Sequence, residues 1–537
     1  MKTRLAIVLG CLLAKPAFAG GLFLPGSGAI STARAGAAVA STDDGEALSI
    51  NPAGLAKTKG TTITISAAII SYAMEFDRRG TYDAIADDDF AYEGTEYGAV
   101  KDRAKPPLGF GSFQPVPLIA VVSDLGGAVK GLHVAAGLYA PNAYPFRDMS
   151  NGYVFNGDFN TAPPPTRYDV IKQDGAIILP SVAASYRISP QLDVGARFSL
   201  GFADIDTTTT VWGTPGNVTE DVQSDSLFRL KAKDSLIPAF GLGVTYRPTP
   251  NLEIGAAYSS QVTIHGKGTA TSDKGPKVNV NNEEVAIVKT LTPRCRTDVV
   301  GTDTDPPPPD DIKSQNGCVD FATPMSILVG ARYIMLGGDG KMKGDLEFNA
   351  GWENWSAELA STYRVVVDAD ALILGTGARL TLKDNAVRHE FKDTFSFRLG
   401  GSYHIPAGDN TVILRGGVAH DTRAAKDGYL RADVDGAART MMSVGGALRA
   451  KRFQIDAGFG FVYEGTQDNK GDCNITSVAL DQRGCNNDGN EREVADRDGI
   501  DPISPLSTPE QQIESPVSHG TIKSHYVLFM LGASTWF

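Results

Sequence analysis

Three sets of residues carry groups able to do chemistry. Seven histidines are scattered along the chain, at His133, His265, His389, His404, His420, His519 and His525. A Ser/His pair is the minimum for nucleophilic cleavage of an ester, yet none of them has a neighbouring serine in a GxSxG motif, so no enzyme is expected. The second set is ionic: Asp193, Arg197, Glu253, Asp345, Glu347, Glu353, Arg398, Arg415 and Asp456. A planar guanidinium pairs well with a carboxylate, which makes Arg197, Arg398 and Arg415 candidates for holding a ligand's carboxylate. Balanced charge lining a water-filled interior accounts for them equally. The third set is Cys11, Cys295, Cys318, Cys473 and Cys485. No CxxC or Cys/His metal spacing occurs, so neither metal nor cofactor is expected.

Composition narrows the classes further. A net charge of −12 and a pI near 5.2 argue against nucleic acid, which selects basic surfaces. Asp496-Arg497-Asp498-Gly499-Ile500-Asp501 matches a calcium loop only in part and reads better as solvated loop. Asp303 to Asp311, with four consecutive prolines, reads as a stiff surface loop.

The elements that position these residues follow from periodicity. The first nineteen residues, MKTRLAIVLGCLLAKPAFA, combine Lys2 and Arg4, an apolar run and a closing Ala-Phe-Ala, which is a secretory signal; the mature chain is expected from Gly20. Val8-Leu9-Gly10-Cys11 is the competing lipoprotein site. Removal of Cys11 leaves two sequence-local cysteine pairs, for which disulfides 295–318 and 473–485 are the natural expectation among three formal connectivities. No apolar run of helical-span length exists beyond the N-terminus, so helices do not cross a membrane.

Strands do. From Thr61 onward, period-two segments recur, bounded by Gly, Pro, Asn and Asp. In Gln191 to Phe202 one face carries Leu192, Val194, Ala196, Phe198, Leu200 and Phe202, and the other Asp193, Gly195, Arg197, Ser199 and Gly201. Such segments fall near 61–76, 113–123, 130–141, 173–188, 190–206, 228–247, 251–268, 321–336, 341–362, 390–405, 409–422, 436–450, 451–466 and 521–537. Connections between them alternate between short and long, the asymmetry of an outer-membrane barrel with tight periplasmic turns and long extracellular loops. A soluble sandwich or propeller would also alternate, but its loops would not sort by length. The closing row from Val527 to Phe537 ends in an aromatic, as barrel-assembly machinery requires of many such proteins. The fold expected is therefore an all-β, transmembrane antiparallel barrel of about fourteen strands in the outer membrane.

Fourteen strands leave a lumen too wide to fill with wall side chains. The segment 20–60, rich in Gly, Ala and Ser, is the economical plug for a barrel spanning 61–537. Ser41 or Thr42 would cap a short helical turn through Glu46, and Asn51 before Pro52 would end it, because the residue before proline is pushed out of the helical region. Arg34, Asp43 and Asp44 are placed to pair with the wall.

The stretch GAISTARAGAAVASTDDGEALSINPAGL, with its Asn51-Pro52-Ala53 motif, resembles the N-terminal hatch of the FadL family of outer-membrane transporters. Trp352-Glu353-Asn354-Trp355-Ser356 in the ninth strand, FKDTFSFRLGGSYHI opening the tenth and the closing Trp536-Phe537 add to the resemblance. It implies a monomer that takes up long-chain fatty acids or other hydrophobic compounds passively. Ligand would be captured between extracellular loops, pass to a lumenal site near the N-terminus, and leave sideways into outer-membrane lipid at a kinked third strand. Gly137 and Pro141 are the candidates for that kink. A general porin and, less favoured, a phospholipase-type enzyme are the alternatives. The acidic loops 269–320 and 467–520 depart from the family pattern.

Overall fold

Strands with one apolar and one charged face need lipid on one side and a polar filling on the other, and closing the sheet leaves no unpaired edge in lipid. A computed structural model describes residues 22–84, 90–153, 160–211, 222–223, 225–274, 279–280, 283–290, 293–295, 314–373, 376–381, 384–426, 429–469 and 520–537. The signal sequence, Cys473, Cys485, His519 and both acidic stretches at 303–311 and 496–501 lie outside these residues.

The barrel strands are β1 Thr61–Arg78, β2 Gln114–Ser123, β3 Leu132–Tyr139, β4 Lys172–Ser189, β5 Leu192–Val211, β6 Ser226–Thr249 and β7 Leu252–Ser259. They continue with β8 Ser326–Leu336, β9 Met342–Glu353, β10 Thr394–Ala407, β11 Asn410–Asp421, β12 Arg439–Arg449, β13 Phe453–Asn469 and β14 Gly520–Trp536. Each pairs antiparallel with its sequence neighbours, and β14 closes on β1 from Thr62↔Trp536 to Arg78↔Gly520. Val262–Lys274 prolongs β7 and Ser314–Thr323 leads into β8, the two pairing with each other beyond the short breaks.

The rows face as the alternation predicts. Leu200, Phe240, Phe397 and Leu531 point outward to lipid, while Asp193, Arg197, Glu347 and Asp456 are buried inside. Outward tyrosines Tyr186, Tyr246, Tyr333 and Tyr403 stand just before short turns, forming an aromatic girdle at the periplasmic boundary. At the other end, the outward rows turn charged at Glu75, Asp77, Asp204, Asp206 and Lys523.

Three expectations need correction. The ninth strand stops at Glu353 instead of continuing to 362: Asn354-Trp355-Ser356 leave the wall, and a short helix Glu358–Ser361 follows. Trp355 drives this, because its ring is buried between Phe23 and Phe391 and its Nε1–H donates to Glu353 Oε2 at 2.7 Å. The strand entering β8 begins at Ser314, so Cys318 is a strand residue; it is disulfide-bonded to Cys295. The loops before β8 and after β9 were expected without structure, yet Glu283–Lys289 pairs with Ala369–Ile373 in a separate four-stranded sheet.

Residues from Leu22 to Gly60 occupy the lumen. The segment contains single-turn helices α1 Ala29–Thr32 and α2 Ala47–Ile50 and a 3-10 helix Pro52–Lys57. Neither Ser41 nor Thr42 caps α2: Glu46 precedes it in helical conformation without a side-chain cap, and the Thr42 hydroxyl makes no hydrogen bond. Asn51 ends α2 as expected, extended at φ −151°, ψ 101° before Pro52. Its Oδ1 accepts from the Ala53 N–H at 3.1 Å, and its Nδ2 donates to the Val39 carbonyl at 2.7 Å.

The plug fits because the wall is notched with glycine. A Cβ on Gly243 of β6 would stand 2.0 Å from Asn51 Oδ1, one on Gly195 of β5 2.4 Å from the Pro52 carbonyl carbon, and one on Gly417 of β11 2.3 Å from the Arg34 oxygen. Gly243→Val should therefore leave an assembled, heat-modifiable barrel whose plug cannot seat, measured as ion conductance in planar bilayers that the parent lacks. Unchanged conductance would mean that the close approach is not required.

Candidate functional site

Six strands share one ladder of alternating charge on the lumen side. Arg187 of β4 pairs with Asp193 of β5 at 2.8 Å, Asp193 pairs with Arg247 of β6, and Arg247 reaches Glu253 of β7 at 3.0 Å. Arg332 of β8 then joins Glu253 at 2.8 Å to Asp345 of β9 at 2.8 Å. The plug inserts two cations into this ladder. Lys57 Nζ lies 3.2 Å from Glu253. Arg34 grips Asp345 with both terminal nitrogens, at 3.1 and 2.8 Å, reaches Glu347 at 3.3 Å, and donates from Nε to the Ala37 carbonyl. Arg34 thus plays the expected wall-pairing role. Asp43 and Asp44 make no ion pair among the described residues, and Asp44 Oδ1 instead accepts from the Glu46 N–H.

The three candidate arginines occupy different settings. Arg197 donates to the Leu48 and Ser49 carbonyls at 3.0 and 2.8 Å, holding the end of α2. Arg415 pairs with Asp456 at 2.6 Å across the wall. Arg398 lies beside Gly36 of the plug, is buried, and its Nε makes no hydrogen bond. Among the described residues Arg398 is the one of the three with no short ion pair or hydrogen bond, although its charge acts on the nearby carboxyls of Asp421 and Glu353.

Above the plug the lumen becomes aromatic. Phe23 packs tilted against Trp355 and Trp355 edge-on against Phe391, with centroids 6.0 and 5.6 Å apart, and Tyr72, Tyr526 and Tyr144 form a second group. Arg439 Nη1 donates to the Phe23 carbonyl at 3.2 Å. Extracellular loops close over this region through a buried ionic knot: Arg431 pairs with both Asp169 and Asp433, and His389 Nε2 lies 3.0 Å from Asp433. Two carboxyls compete there for one guanidinium. Burial pushes Asp169 up to about 7 against the pull of Arg431, while Asp433, despite burial, is held well below the usual carboxylate range by Arg431 and His389.

One place in the wall is not sealed. β3 pairs with β2 and β4 only up to Tyr139, opposite Leu118 and Leu179. Beyond that level the chain turns at Ala140-Pro141 toward the plug, where the Asn142 carbonyl accepts from the Leu24 N–H at 2.7 Å and Asn142 Nδ2 donates to the Gly26 carbonyl at 3.0 Å. The Ala140 N–H still donates to the Pro117 carbonyl at 3.1 Å, so residues 114–116 of β2 pair only with β1, and Gly175 to Ile178 of β4 pair only with β5. Pro115 and Pro117, which lack an N–H for a ladder, stand on the β2 edge. Gly137 is paired on both sides, so pairing does not fail there; its bare Cα admits Leu48, whose Cδ2 would lie 2.9 Å from a Cβ. Pro141 lies two residues beyond the last pair.

The family model for outer membrane protein transport proteins (OMPP1/FadL/TodX) matches residues 150–484. The chain belongs to this family. Among solved structures, a Pseudomonas aeruginosa FadL homologue aligns with a TM-score of 0.64 at 13% identity, covering 96% of this chain and 100% of its own. The Ralstonia pickettii toluene transporter TbuX aligns at 0.57 with 14% identity, covering 96% and 99%. The Pseudomonas putida toluene transporter TodX aligns at 0.57 with 13% identity over the same shares. No curated protein sequence matches. This FadL/TodX-family chain is thus an outer-membrane transport protein of the hydrophobic-compound class.

Sequence reasoning missed Lys57, Asn142 and the Trp355/Phe391 pair. For Lys57 the available signal was a cation, with Lys59 two residues on, beside a run of small residues; for the wall notches it was glycine recurring on the polar face of strands. Arg34→Ala should strip Asp345 and Glu347 of a buried partner and cost on the order of 3 kcal/mol, read as a lower unfolding temperature together with protease access to the plug. An unshifted transition would mean that the ion pair does not hold it.

Proposed function

We propose that the protein takes up long-chain fatty acids passively and releases them sideways into the outer leaflet through the gap between β2 and β4. The observation that carries this reading is the unpaired wall above Pro117, Ala140 and Leu179, opening onto a lumen lined by buried apolar side chains. Each CH₂ of an acyl chain favours an apolar environment by roughly 0.8 kcal/mol, so an exit into lipid assists release and an aqueous exit opposes it. Arg398 supports a carboxylate headgroup, being a buried cation with a free Nε beside the plug.

An aromatic hydrocarbon is the second reading, favoured by the cluster of buried rings formed by Phe23, Trp355 and Phe391. The two separate on the headgroup. A charge-assisted hydrogen bond contributes about 1.5–3 kcal/mol, so Arg398→Leu should lower long-chain fatty acid uptake about tenfold or more in a strain otherwise deleted for the gene. Toluene uptake should not change. Loss of toluene uptake with fatty acid uptake intact would favour the aromatic reading, and a deletion strain unchanged for both ligands would overturn each.

A further inference from the structure

The segment from Pro106 to Phe113, sequence PPLGFGSF, contains no charged residue. It folds as a tight finger in which the Phe110 N–H donates to the Phe113 carbonyl at 2.8 Å and the Phe113 N–H returns the bond at 3.1 Å. Leu108 and Phe110 at its tip are 77% and 79% exposed, more than any apolar strand residue among those described. In water this arrangement would be costly, because nothing among the described residues covers either side chain.

The finger's position relative to the wall identifies what does cover it. Ser112 straddles the top of β2: its carbonyl accepts from the buried Tyr144 hydroxyl at 2.7 Å, and its hydroxyl lies 2.8 Å from that of Ser71, an outward residue of β1. Phe113 stacks on the outside of the barrel, its ring 5.6 Å from outward-facing Phe529, which itself meets Phe459 at 5.6 Å. Phe529 belongs to the apolar row of β14 below His525 and Lys523, where that row turns polar. The finger is therefore continuous with the lipid-facing belt and sits beside residues 114–116, the β2 edge of the gap.

We propose that Leu108 and Phe110 insert into the outer leaflet and contact lipid acyl chains, making this loop an apolar anchor flanking the wall opening. Its partner is the hydrocarbon of the membrane, as for an interfacial segment that buries its apolar face at the headgroup boundary. The inference rests on the barrel's placement in the membrane and not on the identity of the transported compound, so a negative uptake experiment leaves it standing.

The test uses the full chain carrying Phe110→Trp, and separately Leu108→Trp, reconstituted in phosphatidylcholine vesicles with and without brominated acyl chains. Heat-modifiable migration reports that each barrel is folded. After subtraction of the parent's emission, the added tryptophan signal should be blue-shifted, at least halved by brominated lipid and little changed by aqueous iodide. Emission quenched by iodide and untouched by brominated lipid, in either folded variant, would place the tip in water and overturn the proposal. Loss of iodide quenching only at high protein density, without quenching by brominated lipid, would assign the surface to a second copy of the chain and overturn it equally.

Discussion

A buried guanidinium without a counter-charge is among the most costly features a protein interior can hold, and Arg34 would be one if the plug sat anywhere else. Asp345 and Glu347 face the same penalty from the wall side. Bringing them together removes both, and this pairing fixes the register of the plug against β9. From that contact the rest follows in order. Glycines on β5, β6 and β11 let the plug backbone approach, Asn51 turns the chain into its last helix, and Leu24 and Gly26 are set where Asn142 meets them. The inward course of the loop after β3 is thus tied to the plug that Arg34 positions.

That dependence explains why the wall gap sits where it does. A barrel normally seals itself because each strand pairs on both sides along its full length. Here β3 ends at Tyr139, Ala140 makes one last bond to Pro117 of β2, and Asn142 then spends its carbonyl and its side-chain amide on the plug. The edges left behind carry Pro115 and Pro117, which have no amide hydrogen to leave unsatisfied in lipid. Plug and gap are consequently two ends of one hydrogen-bonded path. The apolar finger at Leu108 and Phe110 lies at the outer margin of the same opening.

The barrel was legible in the sequence because a two-sided strand must write its environment in every second residue. The Phe198, Leu200 and Phe202 row against Asp193, Arg197 and Ser199 needs no tertiary knowledge to read, and the observed strands fall close to the segments so identified. Asn51 before Pro52 was legible for a similarly local reason. What escaped were features decided by contacts distant in sequence. Trp355 leaves the alternation because Phe23, more than three hundred residues earlier, offers its ring. Arg197, Arg398 and Arg415 look alike in sequence, yet the first caps a helix, the second faces Asp421 and Glu353 without a short hydrogen bond, and the third pairs with Asp456. Period-two reasoning places all three in the lumen and has no means to separate them.

The central claim is that a hydrophobic compound crosses this wall without a water-filled pore, leaving through a gap that a seated plug keeps separate from the ion path. Simultaneous recording of ion conductance and ligand arrival in the bilayer, on the full chain in one planar membrane, tests it most directly. The account predicts that ligand added on the extracellular side enters the bilayer at a rate dependent on the protein while ohmic conductance stays at baseline. Ligand flux that rises and falls together with an open-pore current would contradict it.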